Sequence, residues 1–213
     1  MRIGVFDSGI GGEAVARKLQ ELLPDADIIS VNDHDHVPYG TKTPDEIIAL
    51  TIAAIQPLLI KSCDAIVIAC NTATTVAMRS LRQTYPTINF IGIEPMIKPA
   101  GAMTKTGSIA VLATPQTLLS PRYHELKNTW AKNINVIEPD CHDWAELIEN
   151  EASNDIPVER TIATLVDRNV DVIVLGCTHY HRIKERITDA AGQHITILEP
   201  TDAIAGRIKS LLA

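Results

Sequence analysis

The sequence predicts an α/β protein of two pseudo-symmetric halves, each a four-stranded parallel sheet flanked by helices, with the active site in the cleft between them. Two observations carry this. Short β-branched runs alternate with amphipathic helical patterns along the whole chain, the order expected of parallel strands joined by crossover helices. The strands also recur: Asp64-Ala-Ile-Val-Ile-Ala-Cys70 returns as Asp171-Val-Ile-Val-Leu-Gly-Cys177, with 107 residues between the two cysteine positions. The same offset carries Asp7 onto Thr114 and Asp33 onto Asp140, and Ile91-Gly-Ile-Glu94-Pro95 matches Ile195-Thr-Ile-Leu-Glu199-Pro200 at an offset of 105. Buried parallel strands all read Val, Ile and Leu, so one match means little. Four in register indicate a duplication.

In chain order the strand candidates are Ile3–Phe6, Asp27–Val31, Ala65–Ala69, Ile88–Ile93, Ser108–Leu112, Ile134–Ile137, Val172–Leu175 and Ile195–Leu198, short runs rich in β-branched residues. A glycine cluster follows the first, and then Val15, Leu19, Leu22 and Leu23 fall at helical spacing. Thr43-Pro44-Asp45-Glu46 opens a further helix: Thr43 can cap, Pro44 suits the first helical position and Glu46 can complete a capping box. Another helix starts near Pro157, with Val158, Ile162, Leu165 and Val166 on one face. Residues 1–96, with a C-terminal helix at 201–213, are expected to form the first half and residues 97–200 the second.

Composition excludes several classes of function. The 213 residues include 19 Lys and Arg against 26 Asp and Glu, a net charge of −7, spread without a basic stripe that would suit nucleic acid. No apolar run reaches membrane-spanning length, and Met1-Arg2 leads at once into a strand-like run, so neither a signal peptide nor a membrane partner is expected. Four cysteines are too few for a disulfide scaffold. The expectation is a soluble, reduced, cytoplasmic protein with a small-molecule substrate.

In open α/β sheets, ligands bind beyond the carboxyl ends of the strands. Asp7, Asp33 and Cys70 sit at such ends in the first half, and Thr114, Asp140 and Cys177 in the second. If the halves face each other, two thiols approach one cleft from opposite sides. Each of these cysteines ends a buried strand and precedes an expected helix, where the helix N-terminus favours a thiolate and free backbone N–H groups suit a carboxylate. Cys63 lacks polar company and reads as a structural core residue. Asp7-Ser8-Gly9-Ile10-Gly11-Gly12 supplies a competing motif: Gly9-x-Gly11-x-x-Ala14, with Asp33 about 20 residues on, is a tolerated dinucleotide fingerprint. Against it, Asp7 would repel a pyrophosphate, and the paired cysteines would go unused. Asp33-His34-Asp35-His36 and Cys177-Thr178-His179-Tyr180-His181 contain metal-ligand types, but neither has structural-zinc spacing, so no metal is expected. His34, His36 and His181 read as solvent-facing. His179, two residues after a thiol, can pair with it or shuttle its proton.

With these motifs the sequence resembles the glutamate racemases of the cofactor-independent aspartate/glutamate racemase superfamily. The matching pieces are Asp7-Ser8-Gly9-x-Gly11-Gly12, Asp33 with Pro38-Tyr39-Gly40-Thr41-Lys42, Cys70-Asn71-Thr72-Ala73 and Gly176-Cys177-Thr178-His179-Tyr180. Softer matches are Gly92-Ile93-Glu94-Pro95, Leu112-Ala113-Thr114-x-x-Thr117, and Cys141 with Glu149 eight residues on. The resemblance runs from end to end of the chain.

It implies a racemase that moves the α-proton of glutamate between two cysteines without a cofactor, supplying D-glutamate for peptidoglycan. Cys70 would deprotonate D-glutamate with help from Asp7. Cys177 would deprotonate the L-enantiomer with help from His179, and Glu149 would stand behind His179. Ser8, Tyr39, Gly40, Asn71, Thr72, Thr114, Thr117 and Thr178, with Asp7 and His179, match residues that hold the substrate. An aspartate racemase of the same superfamily, or a nucleotide-binding protein using the Gly9–Ala14 loop, are the alternatives, and a homodimer is left open. Three features depart from the family pattern. His181 stands where a proline is usual. Asp33-His34-Asp35-His36 replaces a small residue and an arginine. The chain is also short, with the missing material placed between Glu149 and Asp171.

Overall fold

The structure, a computed structural model, describes residues 1–212; Ala213, which ends the expected C-terminal segment, lies outside the described residues. All eight expected strands form: β1 (Arg2–Asp7), β2 (Asp27–Asn32), β3 (Ala65–Ile68), β4 (Phe90–Gly92), β5 (Ser108–Ala113), β6 (Asn135–Ile137), β7 (Val172–Gly176) and β8 (Thr196–Leu198). They make two four-stranded sheets, ordered β2-β1-β3-β4 and β6-β5-β7-β8, and every pairing is parallel. The two orders are the same when the strands are counted within each half, which is the structural face of the sequence repeat. The helices are α1 (Gly11–Leu22), α2 (Pro44–Ala54), α3 (Gln56–Ile60), α4 (Asn71–Thr84), α5 (Ile97–Met103) and α6 (Pro115–Leu119), then α7 (Pro121–Trp130), α8 (Trp144–Glu149), α9 (Val158–Asp167), α10 (Lys184–Ala191) and α11 (Thr201–Leu212).

Local chemistry accounts for the element starts. The capping box at α2 forms as its sequence predicts: Thr43 Oγ1 accepts from Glu46 N at 3.4 Å, and Glu46 Oε2 accepts from Thr43 N at 2.8 Å. In α9, Val158, Ile162 and Leu165 are buried, whereas Val166 is 47% exposed. Its side chain lies a further 100° or so round the helix from Leu165, beyond the buried stripe. The repeated aspartates hold the bases of the sheets: Asp64 accepts from Arg2 N at 2.7 Å, and Asp171 from Lys105 N at 2.6 Å and Thr106 N at 3.0 Å. Each ties its half's third strand to the chain that enters the first.

Strand alternation places the cysteines. Ile66, Ile68 and Cys70 share one face of the first sheet, and Ile173, Leu175 and Cys177 the corresponding face of the second. The opposite faces carry Val67 and Val174 with their own clusters. The helix that follows the fourth strand of each half packs on the other half. Ile97 and Ala100 of α5 join the core around Ile109, Val111 and Val174, while Ile204, Ala205 and Ile208 of α11 join the one around Ile3, Val5 and Leu19. This exchange crosses the two halves twice and sets their sheets' carboxyl ends toward a shared cleft. No helix among the described residues is long and apolar enough to cross a membrane.

Candidate active site

A narrow pocket lies between the sheets, and both cysteines line it. From the first half come Ser8, Pro38, Tyr39, Gly40, Cys70, Asn71 and Thr72; from the second come Thr114, Ala145, Cys177, Thr178 and His179. Asp7, Glu149 and Thr117 stand one layer back. Each acts on a lining residue: Asp7 Oδ1 accepts from Thr178 Oγ1 at 3.1 Å, Glu149 bonds His179 Nε2, and Thr117 Oγ1 lies 3.0 Å from Thr114 Oγ1. Thr72 completes a triangle of hydroxyls, 2.9 Å from Thr114 and 3.3 Å from Thr117, which joins the two halves.

The two sulfurs have unlike surroundings. Cys70 is the N-cap of α4, so its Sγ accepts from Ala73 N at 3.4 Å, and Ser8 Oγ donates to it at 3.3 Å. Burial, with the Asp7 carboxylate close by, pushes this thiol up to about 12 against those two bonds. Burial also raises Asp7, which the His179 charge, Gly9 N, Thr178 Oγ1 and Gly12 N partly oppose. Cys177 Sγ instead meets His179 Nδ1 at 3.5 Å. Burial disfavours a charge on His179, but the Cys177 sulfur, Glu149 and Asp7 outweigh it and raise the imidazole well above its ordinary value. Glu149 is held below the carboxylate range. Burial pushes it up, but its bonds from His179 and Ile10 N win. One thiol is therefore protonated among neutral donors. The other faces a cation.

The segment after Cys177 departs from the helix expected there. Thr178–Ile183 is a 3₁₀ turn, and α10 begins only at Lys184. Three residues per turn spread successive side chains about 120° apart. Thr178, His179 and Tyr180 use that spread to reach Asp7, Glu149 and the Cys141 carbonyl respectively. A regular α-helix would not aim all three.

The glycine loop is filled from within. Asp7 Oδ2 accepts from Gly12 N at 2.8 Å and Gly9 N at 3.3 Å, and Glu149 Oε1 accepts from Ile10 N at 2.9 Å. The donors a pyrophosphate would need are thus already bound to carboxylates. A Cβ on Gly11 would come within 2.6 Å of Thr178 Oγ1, and one on Gly9 within 2.9 Å of His179 Nε2. These glycines admit the second half, not a nucleotide.

Two further expectations need correction. Asp140 does not reach the pocket: β6 ends at Ile137, and the Asp140 side chain, 79% exposed, bonds His142 at the surface. His181 is not solvent-facing, since it pairs with Glu199 at 2.8 Å with its side chain 16% exposed. His34 and His36 are exposed, and Cys63 is buried against the strand residue Gly4. Asp33 bridges Tyr39 Oη at 2.8 Å and His36 Nδ1 at 2.7 Å, which orients Tyr39 at the pocket wall. Pro38 and Ala145 also line the pocket; Pro38 entered the sequence reading only inside the Pro38–Lys42 match, and Ala145 not at all. Neither carries a reactive group, so no chemical signal marked them.

Fold and site together define a class: an α/β protein whose two like halves each present a thiol to one narrow pocket, a layout suited to exchanging a proton across a bound carbon acid. The chain belongs to the Asp/Glu/hydantoin racemase family, whose match spans residues 3–208, and it is an isomerase of the amino-acid racemase class. It is 38% identical over 215 residues to the glutamate racemase of Roseiflexus sp. (strain RS-1), covering 99% of this chain and 79% of that one. With the glutamate racemase of Clostridium perfringens (strain SM101 / Type A) it shares 41% identity over 213 residues, covering 98% and 81%. Among solved structures, Escherichia coli glutamate racemase in complex with L-glutamate and the activator UDP-MurNAc-ala superposes with a TM-score of 0.87 at 30% identity, covering 99% of this chain and 82% of that one. The Francisella tularensis enzyme in complex with D-glutamate gives 0.81 at 31%, covering 99% and 80%.

Proposed function

We propose that this protein interconverts L- and D-glutamate by passing the α-proton between Cys177 and Cys70. The Cys177 thiolate takes the α-proton of L-glutamate, forming an S–H bond and leaving the C–H electron pair on carbon, delocalised into the α-carboxylate. Cys70 then delivers its thiol proton to the opposite face, which yields D-glutamate and a Cys70 thiolate. The reverse reaction starts from that thiolate. The two sulfurs exchange protons with solvent between turnovers.

The observation that carries this reading is that both thiols, from equivalent strand ends of a duplicated half, line one pocket. The cation at His179, backed by Glu149, gives Cys177 a counter-ion while that sulfur acts as base. Asp7 is near enough to Cys70 to influence its proton. A thiol raised to about 12 is a strong base once ionised, closer to the weak acidity of an amino-acid α-carbon. Ser8, Tyr39, Gly40, Asn71, Thr72, Thr114, Thr117 and Thr178 hold the substrate, directly or through a neighbour. Asn71 Oδ1 is the buried side-chain oxygen left without a hydrogen-bond partner among the described residues, and it lies in the pocket wall. An α-ammonium is a donor of the right kind for it. A narrow pocket between the halves limits the water that would otherwise quench the carbanion. Supply of D-glutamate for peptidoglycan in the cytoplasm is the role that goes with this chemistry, and residues 1–96 with 201–213 and 97–200 form its two halves.

The test is incubation with L-glutamate in D2O without added cofactor. The α-hydrogen is expected to be replaced by deuterium while D-glutamate accumulates, and EDTA should change neither. L-aspartate, run in parallel, should react on the order of 100-fold more slowly if its α-carbon sits an ångström off the line between the thiols. Reaction with aspartate alone would move the substrate to the shorter acid. No exchange with either, in folded and reduced protein, would overturn the proposal.

A further inference from the structure

Glu94 and Glu199 occupy equivalent places, each where the chain leaves the fourth strand of one half for the helix packed on the other. Their partners differ. Glu94 is held by Arg122 at 2.7 and 3.0 Å, whereas Glu199 Oε2 meets His181 Nδ1 at 2.8 Å and Glu199 Oε1 meets Lys184 Nζ at 3.1 Å. The Glu199 side chain is 22% exposed. The bond from His181, and then Lys184, brings its carboxyl down to about 2 against the effect of burial.

His181 belongs to the same 3₁₀ turn as Thr178 and His179. With three residues per turn, Thr178 and His181 share one side of it, and both line the cleft between the turn and α1. Thr178 fixes one end of that face to Asp7, and His181 fixes the other to Glu199. His179 lies between these anchors. Its contact with Cys177 is 3.5 Å long, so a small rotation of the turn would change how the imidazole meets the sulfur.

We propose that His181 is a positioning residue: by tying the turn Thr178–Ile183 to Glu199 at the crossover between the halves, it sets the angle at which His179 meets Cys177. It therefore tunes proton transfer on the Cys177 side alone. This rests on the two-thiol reading above, and the two can fail separately.

The experiment uses the full chain and compares His181→Leu, His181→Arg, Glu199→Gln and His179→Asn. For each, kcat and KM are measured with L- and D-glutamate, together with the primary isotope effect from each α-deuterated enantiomer. Because enantiomers have equal free energy, kcat/KM must match in the two directions, so only the isotope effects report which transfer has slowed. Raising the barrier at Cys177 increases the effect from deuterated L-glutamate, where Cys177 breaks the C–D bond. It lowers the effect from deuterated D-glutamate, where Cys177 supplies a solvent-derived proton. His181→Leu is expected to lower kcat by about 5- to 20-fold, a fraction of the ångström-scale penalty. KM should move less than about twofold, with the isotope effects shifted in that sense. His181→Arg should recover most of the loss, and Glu199→Gln, nearly isosteric and so a second route if His181→Leu folds poorly, should copy His181→Leu. Unchanged kcat, isotope effects that do not diverge, or an arginine variant no better than leucine would each overturn the inference. Divergent isotope effects in His179→Asn but not in His181→Leu would overturn it alone. No divergence in His179→Asn would remove the two-thiol reading beneath it.

Discussion

Cys70 and Cys177 hold the same position in two copies of one strand pattern, yet they sit in opposite electrostatic surroundings. Around Cys70 are a hydroxyl, a backbone N–H and a nearby carboxylate. Around Cys177 is an imidazole held charged by that sulfur together with Glu149 and Asp7. Duplication of a β-strand fixes where a side chain ends up, because strand alternation and register repeat with the backbone. It does not fix the proton inventory, which depends on loops that diverged. The difference suits a reaction that needs one acid and one base at each turn.

The largest expected effect abolishes the comparison. Cys70→Ala or Cys177→Ala should each reduce racemisation in both directions by at least about 1000-fold, since a missing acid blocks turnover as fully as a missing base. Near-normal turnover in either variant, measured by polarimetry, would show that the pairing of thiols is not the catalytic unit.

A smaller effect sharpens it. Asp7→Asn and His179→Asn should each lower kcat by about 10- to 100-fold, within the range of a lost acid–base helper. Their isotope effects should shift in opposite senses. His179→Asn should raise the effect from deuterated L-glutamate, and Asp7→Asn that from deuterated D-glutamate. Shifts in the same sense would mean that the two helpers serve one step and that the halves are not functionally opposed.

The smallest effect is on stability, and its sign differs between the two sides. The His179 pKa is raised, so the stability its charge contributes is complete below the ordinary value of 6.5 and is lost as pH rises through the raised value. Glu149 is lowered, so its contribution is complete above its ordinary 4.5 and is lost as pH falls through the depressed value. The Tm difference between the wild type and His179→Asn should therefore be greatest between those two ordinary values and shrink on either side. Asp7 is raised by burial, so ionising it costs stability as pH rises above 3.8. Asp7→Asn should then be more thermostable than the wild type at neutral pH and lose that advantage in acid. A stabilising His179→Asn at pH 5 to 6, or a destabilising Asp7→Asn at pH 7, would reverse the electrostatic contrast between the two thiols.

The sequence by itself determined the eight strands, their duplication and the two cysteines at equivalent ends. These depend on local signals: β-branched runs, the period of two and the repeat spacing. It also determined the α2 capping box, because Thr43 and Glu46 are three residues apart. Only the tertiary structure decided which residues line the pocket and which stand behind it. Asp7 and Thr117 moved to a second layer, where Glu149 was already expected behind His179; Asp140 proved to be an exposed residue outside the pocket, and Ala145 entered the wall. It also decided that His181 faces Glu199 and not solvent, and that the glycine loop receives Glu149 and Thr178 in place of a phosphate. All these contacts join residues far apart in the chain, many of them across the two halves. The physical reason is that a strand's own periodicity orients a side chain relative to its sheet, whereas its neighbour across a cleft depends on how two sheets meet. Here that meeting is set by α5 and α11, each packed on the opposite half, an exchange that no local pattern encodes.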